Sequence, residues 1–205
     1  ESEIGPDLGT VQRSASEEEA LLDYADGMSV EAVRVAWTKR YSGPGNTSQD
    51  DAIAVRLDYQ GQVLVTGSAY GGTSTGYNIV TIKYNKANGA PLWTRTYSGP
   101  GNRNDLASAM TVDSDGNVYI TGLSESASTG YDIVTIKYSS SGTPLWARRY
   151  NGSHNQRDAG KGIAVDEAGN VYVTGVANGY STFADLITIK YDAYGNQRWV
   201  SVYNG

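Results

Sequence analysis

The sequence predicts an all-β fold made of repeated four-stranded antiparallel units. The ten residues WTKRYSGPGN at 37–46 return as WTRTYSGPGN at 93–102. The 205 residues include 25 glycines and 16 tyrosines but one phenylalanine and two methionines, a composition that favours short strands and tight turns. The four tryptophans recur at intervals of 56, 53 and 53 residues, at Trp37, Trp93, Trp146 and Trp199.

Each repeat contains four short segments rich in Val, Ile, Thr and Tyr. In the first repeat these are AIAVRL, VLVTG, NIVTIKY and PLWTRTY, at 52–57, 63–67, 78–84 and 91–97. A turn that starts with Asp and ends with Gly follows the first segment, as hairpin turns do. The third segment alternates, so Ile79, Thr81 and Lys83 are expected on one side of the strand and the residues between them on the other.

Four antiparallel strands recurring every 53–56 residues are typical of β-propeller blades. The predicted blades span 50–98, 105–151 and 158–204, within a repeat region at 32–205. Residues 33–41 (VRVAWTKRY) are predicted as one extra N-terminal strand, a fourth strand without a blade. Because propellers usually close with about four to eight blades, the ring is expected to be incomplete within one chain. A β-sandwich with coincidental similarity is the alternative, and the identity between repeats argues against it.

The sequence also resembles a known family. The stretch DAGKGIAVDEAGNVYVTG at 158–175, continued by DLITIKY and the tryptophan at 185–199, resembles the bacterial β-propeller repeat called SBBP. The resemblance recurs in phase over residues 33–205. It implies a β-propeller fold and a place in large secreted or surface proteins, and it implies no shared catalytic residues. We therefore expect an extracellular or cell-surface location.

The N-terminal 31 residues differ from the repeats in charge. They hold nine acidic residues and one basic residue, whereas the remaining residues carry 13 acidic and 15 basic residues. The segment SEEE at 16–19 reads as a capping box that opens a short helix ending near Gly27. The alternative is a solvated tail. With no cluster of basic residues and no run of about 18 apolar residues, neither nucleic-acid binding nor a membrane-spanning helix is expected.

An incomplete ring leaves two open blade flanks and the unpaired leading strand. The chain could be an excerpt of a longer propeller, two copies could build a six-bladed ring, or copies could associate head to tail. Unpaired strands accept strand addition, so the leading strand and the arm are candidates for homo-oligomer or filament assembly. The candidate assembly residues are Leu21, Leu22, Tyr24, Val33, Val35 and Trp37.

Motifs for chemistry are weak. GTSTG at 72–76 fits the serine hydrolase pattern, but it lies between two strands, and the single histidine, His154, lies in another repeat. DSDGN at 113–117 resembles the start of a calcium loop, and a turn-capping Asp explains it better. The chain has no cysteine. We expect no catalytic residue, no metal site and no cofactor, and therefore no enzyme.

Two sets of loops emerge on one side of a propeller, and both are rich in Gly, Ser, Asn and Tyr here. Aromatic rings in such loops can stack on sugars or anchor a protein. The alternative prediction is therefore a lectin-like module that binds a glycan or a surface protein. Its candidate ligand-binding residues are Tyr70, Tyr77, Tyr131 and Tyr180.

Overall fold

The computed structural model describes residues 35–44, 50–153, 155–178 and 185–204. Residues Trp37–Gly205 form one compact unit, and Glu1–Ala36 form a second, of which the described part is Val35 and Ala36. The acidic arm at 1–31 and its predicted helix therefore lie outside the described residues.

Within the described ranges, twelve strands form three four-stranded antiparallel sheets. Each sheet keeps the chain order of its strands, and we call the sheets blades 1, 2 and 3. This confirms the predicted all-β fold of three four-stranded antiparallel blades. Blade 1 contains β1 (Asp51–Leu57), β2 (Val63–Tyr70), β3 (Tyr77–Tyr84) and β4 (Pro91–Tyr97). Blade 2 contains β5 (Asp105–Val112), β6 (Val118–Ser126), β7 (Gly130–Tyr138) and β8 (Pro144–Tyr150). Blade 3 contains β9 (Ala159–Val165), β10 (Val171–Ala177), β11 (Asp185–Tyr191) and β12 (Gln197–Tyr203).

The turns between first and second strands have the predicted chemistry. In blade 1 the N–H of Gly61 donates to the carbonyl of Asp58 at 2.8 Å, and Gly61 has a φ of +74°. One carboxylate oxygen of Asp58 accepts the N–H groups of Gln60 and Gln62, both at 2.9 Å. Asp therefore opens the turn by capping its backbone, and Gly supplies the left-handed conformation.

The predicted extra strand at 33–41 is not observed. Residues 35–41 lie outside every strand, and 33 and 34 lie outside the described residues. A strand needs a neighbour for its backbone hydrogen bonds, and no sheet of the described chain includes this segment. We call residues 37–41 the leading segment. Trp37 and Tyr41 still pack on blade 1, against a cluster that includes Val80 and Ile82.

The two faces of each blade serve different neighbours along the chain. We call the face toward the preceding blade the leading face and the opposite one the trailing face. Leu64 and Ile79 on the trailing face of blade 1 form one core with Val118 and Ile120 of blade 2. Blades 2 and 3 meet through an equivalent core that contains Tyr119, Ile133, Val171, Val173, Ile187 and Ile189. The predicted alternation of the third strand is thereby confirmed, because Ile79 faces blade 2 while Val80 and Ile82 face the leading segment.

The tryptophans of outer strands β4 and β8 each cover a glycine of the next blade. A Cβ at Gly142 would lie 2.7 Å from the Trp93 ring, and one at Gly195 would lie 2.7 Å from the Trp146 ring. Both glycines close the turn between the third and fourth strands and have a φ of +80°. Glycine is therefore required twice over, for the turn conformation and for the close approach of the indole.

We predict that Gly142→Ala lowers the free energy of unfolding by about 2–4 kcal/mol, because it adds left-handed strain and a clash with Trp93. Gly72→Ala is the matched control, since Gly72 has a φ of +101° and a Cβ there would meet nothing within 4 Å. It should cost about 1–2 kcal/mol, from strain alone. Urea unfolding of both variants measures the difference, and equal losses would contradict the role of the indole contact.

Candidate functional site

In blade 1 and again in blade 2, two side chains donate to one backbone carbonyl of the next blade. Trp93 Nε1 and Lys83 Nζ both lie 3.1 Å from the carbonyl oxygen of Ser140. At the next junction, Trp146 Nε1 lies 3.1 Å and Lys137 Nζ 3.3 Å from the carbonyl oxygen of Ala193. An indole has one N–H and no acceptor, so a single carbonyl satisfies it. We call the acceptor carbonyl and the turn glycine that together receive one tryptophan a seat.

An arginine on the same outer strand makes a further contact at both junctions. Arg148 Nε donates to the carbonyl of Gly195 at 2.7 Å, and Arg95 Nε donates to that of Gly142. The tryptophan rings also pack on tyrosines of the next blade. The ring centroids are 6.3 Å apart for Trp93 and Tyr138 and 6.1 Å apart for Trp146 and Tyr191.

The leading segment occupies the equivalent seat on blade 1. Trp37 Nε1 donates to the carbonyl of Lys86 at 2.9 Å, and a Cβ at Gly89 would lie 2.6 Å from the Trp37 ring. The Trp37 and Tyr84 ring centroids are 6.0 Å apart. Beside the leading segment, a groove of about 320 Å³ remains open along the leading face, lined by residues that include Val65 and Ile82. The leading segment therefore occupies the place of an outer strand and leaves the place of the inner strands open.

The trailing face of blade 3 is exposed where its counterparts are buried. Leu186 is 54 % exposed, whereas Ile79 and Ile133, at the same position of blades 1 and 2, are both 0 % exposed. Thr174 is also exposed, and Trp199 is 43 % exposed. Among the described residues, neither the indole nitrogen of Trp199 nor the ammonium of Lys190 makes a hydrogen bond. Lys190 lies over the ring of Tyr172, 5.1 Å from its centroid.

The leading face of blade 1 is open in the same way. Val55 is 57 % exposed, whereas Met110, at the same position of blade 2, is 1 % exposed because it packs on blade 1. Within Trp37–Gly205, the leading face of blade 1 and the trailing face of blade 3 are therefore both open.

The predicted assembly residues fall partly on this region. Trp37 lies in the blade 1 seat, and Val35 is exposed. Leu21, Leu22, Tyr24 and Val33 lie outside the described residues. The trailing-face residues Leu186, Lys190 and Trp199 were not among the predicted assembly residues, although each belongs to a position that recurs in every repeat.

An aspartate recurs at or just before the start of each innermost strand, at Asp50, Asp105 and Asp158, and its carboxylate holds the adjoining loops. Asp50 accepts the N–H of Gly43 at 2.7 Å and that of Tyr70 at 3.1 Å, joining two loops. Asp105 accepts the N–H of Gly99 at 2.7 Å. Asp158 accepts from Gly152 and Asn178. Burial raises the pKa of Asp105 and of Asp158, although the loop N–H groups act in the opposite direction.

The lysine near the end of the third strand does not pair with the residue that opens the same strand in blade 1 or in blade 2. Lys83 forms an ion pair with Asp58 at 2.7 Å in addition to its bond across the junction. Burial alone would raise the pKa of Asp58, but Lys83 and the turn N–H groups lower it. Asp132 pairs instead with Arg149 at 2.6 Å.

Two of the predicted ligand-binding tyrosines line one cleft. Tyr77 of blade 1 and Tyr131 of blade 2 border a space of about 410 Å³, together with Asp51 and Asn104. Tyr70 packs behind Tyr77 with 5.3 Å between ring centroids and does not line the cleft. Tyr180 lies outside the described residues.

The cleft wall is ordered by a hydrogen-bond network. Asn104 Oδ1 accepts the N–H of Tyr77 at 3.2 Å, and Asn104 Nδ2 donates to Glu125 at 2.9 Å. At the equivalent position of blade 3, Arg157 lies over the Tyr131 ring at 5.4 Å. Asn104 is bonded to the Tyr77 backbone and to Glu125, so the position that carries a cation over an aromatic ring in blade 3 carries a neutral side chain in blade 2.

The weak catalytic and metal motifs are structural turns in the described chain. Residues 72–76 form a turn between β2 and β3, with the N–H of Gly76 donating to the carbonyl of Gly72 at 2.9 Å. The carboxylate of Asp113 accepts from Asp115, Asn117 and Tyr119 at 2.8–3.0 Å, which confirms the turn-capping interpretation. Among the described residues there is no helix with the length and apolar character needed to cross a membrane.

Comparison with known proteins identifies the class. The SBBP family model, a β-propeller repeat, matches residues 93–128 and again residues 145–181. Two of its repeats therefore match the SBBP β-propeller repeat, as the sequence predicts.

Thirteen chains of solved structures match this one. One is the crystal structure of BamB from Moraxella catarrhalis, with 13 % sequence identity and a TM-score of 0.35. The match covers 74 % of this chain and 65 % of the BamB chain. No curated protein sequence matches the chain.

The buried tyrosines of the blade junctions give a pH prediction. Burial raises the pKa of Tyr138 and of Tyr191 from 10.0 to about 12. The folded chain holds these protons more tightly than the unfolded chain does, so their contribution to stability is complete below pH 10. We expect it to fall as the pH rises from 10 to about 12, by about 2 kcal/mol for each tyrosine. Urea unfolding across this range, with tyrosinate absorbance, measures it, and Tyr138→Phe should remove one late-titrating group. Ionisation of every tyrosine near pH 10 would contradict the prediction.

Proposed function

We propose that this chain is a non-catalytic, extracellular assembly module that associates with further copies of itself through its open blade faces. The observation that carries the proposal is the exposure of Leu186 at a position that is fully buried in both preceding blades. The extracellular location is supported by the resemblance to repeats of secreted and surface proteins.

The internal junctions of the chain support a specific partner for the trailing face of blade 3, namely the leading face of a blade. Blades 1 and 2 bury Ile79 and Ile133 against the leading face of the following blade. Blade 3 presents Leu186 at that position and Lys190 and Trp199 at the donor positions of the seat. The leading face of blade 1 presents the exposed Val55 and the groove beside it.

Contact between the two open faces joins different surfaces of each copy, so the interface is heterologous. Two copies joined in this way contain six blades, which lies within the range of about four to eight at which propellers close. If the rotation between copies does not close the ring, the same contact produces a filament.

We predict that Leu186→Glu weakens self-association about 10- to 100-fold, because it removes roughly 1.5–3 kcal/mol of apolar burial from the contact. Light scattering over a concentration series measures the mass of the particle. Leu145→Glu is the matched control, since Leu145 is 50 % exposed in a blade whose two faces are both covered. Equal behaviour of the two variants, or a wild-type chain that stays monomeric at every concentration together with Leu186→Glu, would contradict the proposal.

A second candidate function rests on the cleft between blades 1 and 2. Tyr77 and Tyr131 supply aromatic rings, and Asp51 supplies a carboxylate. Aromatic rings with adjacent polar groups suit a neutral sugar ring, which has an apolar face and hydroxyl edges. The lectin-like alternative therefore places one pyranose unit in this cleft.

Tyr77→Ala should weaken binding of such a glycan about tenfold, through loss of the stacking contact. A glycan array identifies the ligand, and titration calorimetry compares the variants. Tyr194→Ala serves as the control, because Tyr194 is largely exposed in a turn of blade 3. The absence of any bound glycan on the array would count against this second function and leave the assembly proposal unaffected.

A further inference from the structure

We infer that the leading segment holds, within its own chain, the seat that outer strand β12 of a second copy takes on assembly. Trp199 of that copy then replaces Trp37 on blade 1. The inference rests on the proposed self-association and specifies the contact that regulates it.

The described chain offers three seats for four tryptophans. Each seat consists of one acceptor carbonyl and one glycine against which a single indole lies. The seats of Lys86 and Gly89, Ser140 and Gly142, and Ala193 and Gly195 hold Trp37, Trp93 and Trp146. Trp199 has no seat among the described residues, and its outer strand belongs to the only described blade with an open trailing face.

Trp37 and an incoming Trp199 cannot share the blade 1 seat. The Trp37 ring lies within 2.6 Å of the position that a Cβ on Gly89 would take, so one indole fills the space. Blade 3 of a second copy can therefore reach the leading face of blade 1 with its outer strand in place only if the leading segment leaves.

The leading segment is the part that is displaced, because it is not paired with a neighbouring strand. Strand β12 pairs with β11 in register, with Ile187 opposite Val202 and Thr188 opposite Ser201. Residues 37–41 belong to no strand. In the exchange, Trp37 loses its contacts in the blade 1 seat and Trp199 of the second copy gains them, while every backbone pair of blade 3 is kept.

The acceptor on blade 1 also has room for a second donor. The carbonyls of Ser140 and Ala193 each accept from a tryptophan and a lysine, whereas the carbonyl of Lys86 accepts from Trp37 alone among the described side chains. Lys190 of a second copy lies at the repeat position that supplies this missing donor. A second copy therefore completes the seat that the leading segment fills in part.

The test is Trp37→Ala in the full chain, followed by sedimentation velocity over a concentration series. Removing the competing indole and its hydrogen bond should strengthen self-association about tenfold. Trp199→Ala should weaken it by a similar factor. In the Trp37→Ala chain, assembly should also shift the tryptophan fluorescence to shorter wavelength as Trp199 becomes buried, and Trp199→Phe in that background should abolish the shift.

Gly89→Ala is the control for a change in association that comes from destabilising blade 1 and not from freeing its seat. Its Cβ excludes Trp37 and Trp199 alike, so we expect weaker association although the leading segment is released. Thermal unfolding confirms that each variant is folded. Weaker or unchanged association of Trp37→Ala, in a chain that Leu186→Glu dissociates, would overturn the exchange and leave self-association standing. If the wild type stays monomeric at every concentration, the proposed self-association is wrong, and if Trp37→Ala stays monomeric too, the exchange is wrong as well.

Discussion

The junction between blades depends on an indole N–H that reaches one backbone carbonyl. The turn between third and fourth strands uses its first carbonyl internally, since Ser139 accepts from Gly142. The next carbonyl, that of Ser140, is then available to Trp93 and Lys83. Glycine at the end of the turn lets the indole lie against the backbone. The outer strand, the turn and the third-strand lysine are therefore constrained together, which explains why they recur together in the sequence.

This contact gives each blade a direction. Donors lie on the trailing face and acceptors lie on the leading face, so a blade can follow another blade in only one orientation. A series of such blades has one end of each kind. Burial agrees with this polarity, because Leu186 and Val55 are exposed at the two ends while their counterparts inside the series are buried. The proposed association between copies through these ends would follow the same rule as association between blades.

Much of this could be predicted from the period and the alternation of residues. The strands, the turns and the alternation of the third strand between its two faces follow from local patterns that occur in each repeat. The extra strand predicted at 33–41 is absent over residues 35–41, because a strand needs a neighbour for its backbone hydrogen bonds and the repeat pattern had already left this segment without one. The acceptor of Lys83 could not be predicted from the sequence either, since a long flexible side chain can reach acceptors in its own blade or in the next. The joint cleft of Tyr77 and Tyr131, likewise, depends on contacts between blades.

One position that departs from the repeat bears on the strength of the proposed association. Arg95 and Arg148 each hold the glycine carbonyl of the next blade, but the same position of β12 is Ser201. A second copy docked on blade 3 would therefore be held by the tryptophan and the lysine without the arginine. Such an interface lacks a charge-assisted hydrogen bond that both internal junctions possess, and these bonds contribute about 1.5–3 kcal/mol each. The proposed association between copies would then be weaker than association between blades, as the proposed exchange with the leading segment requires.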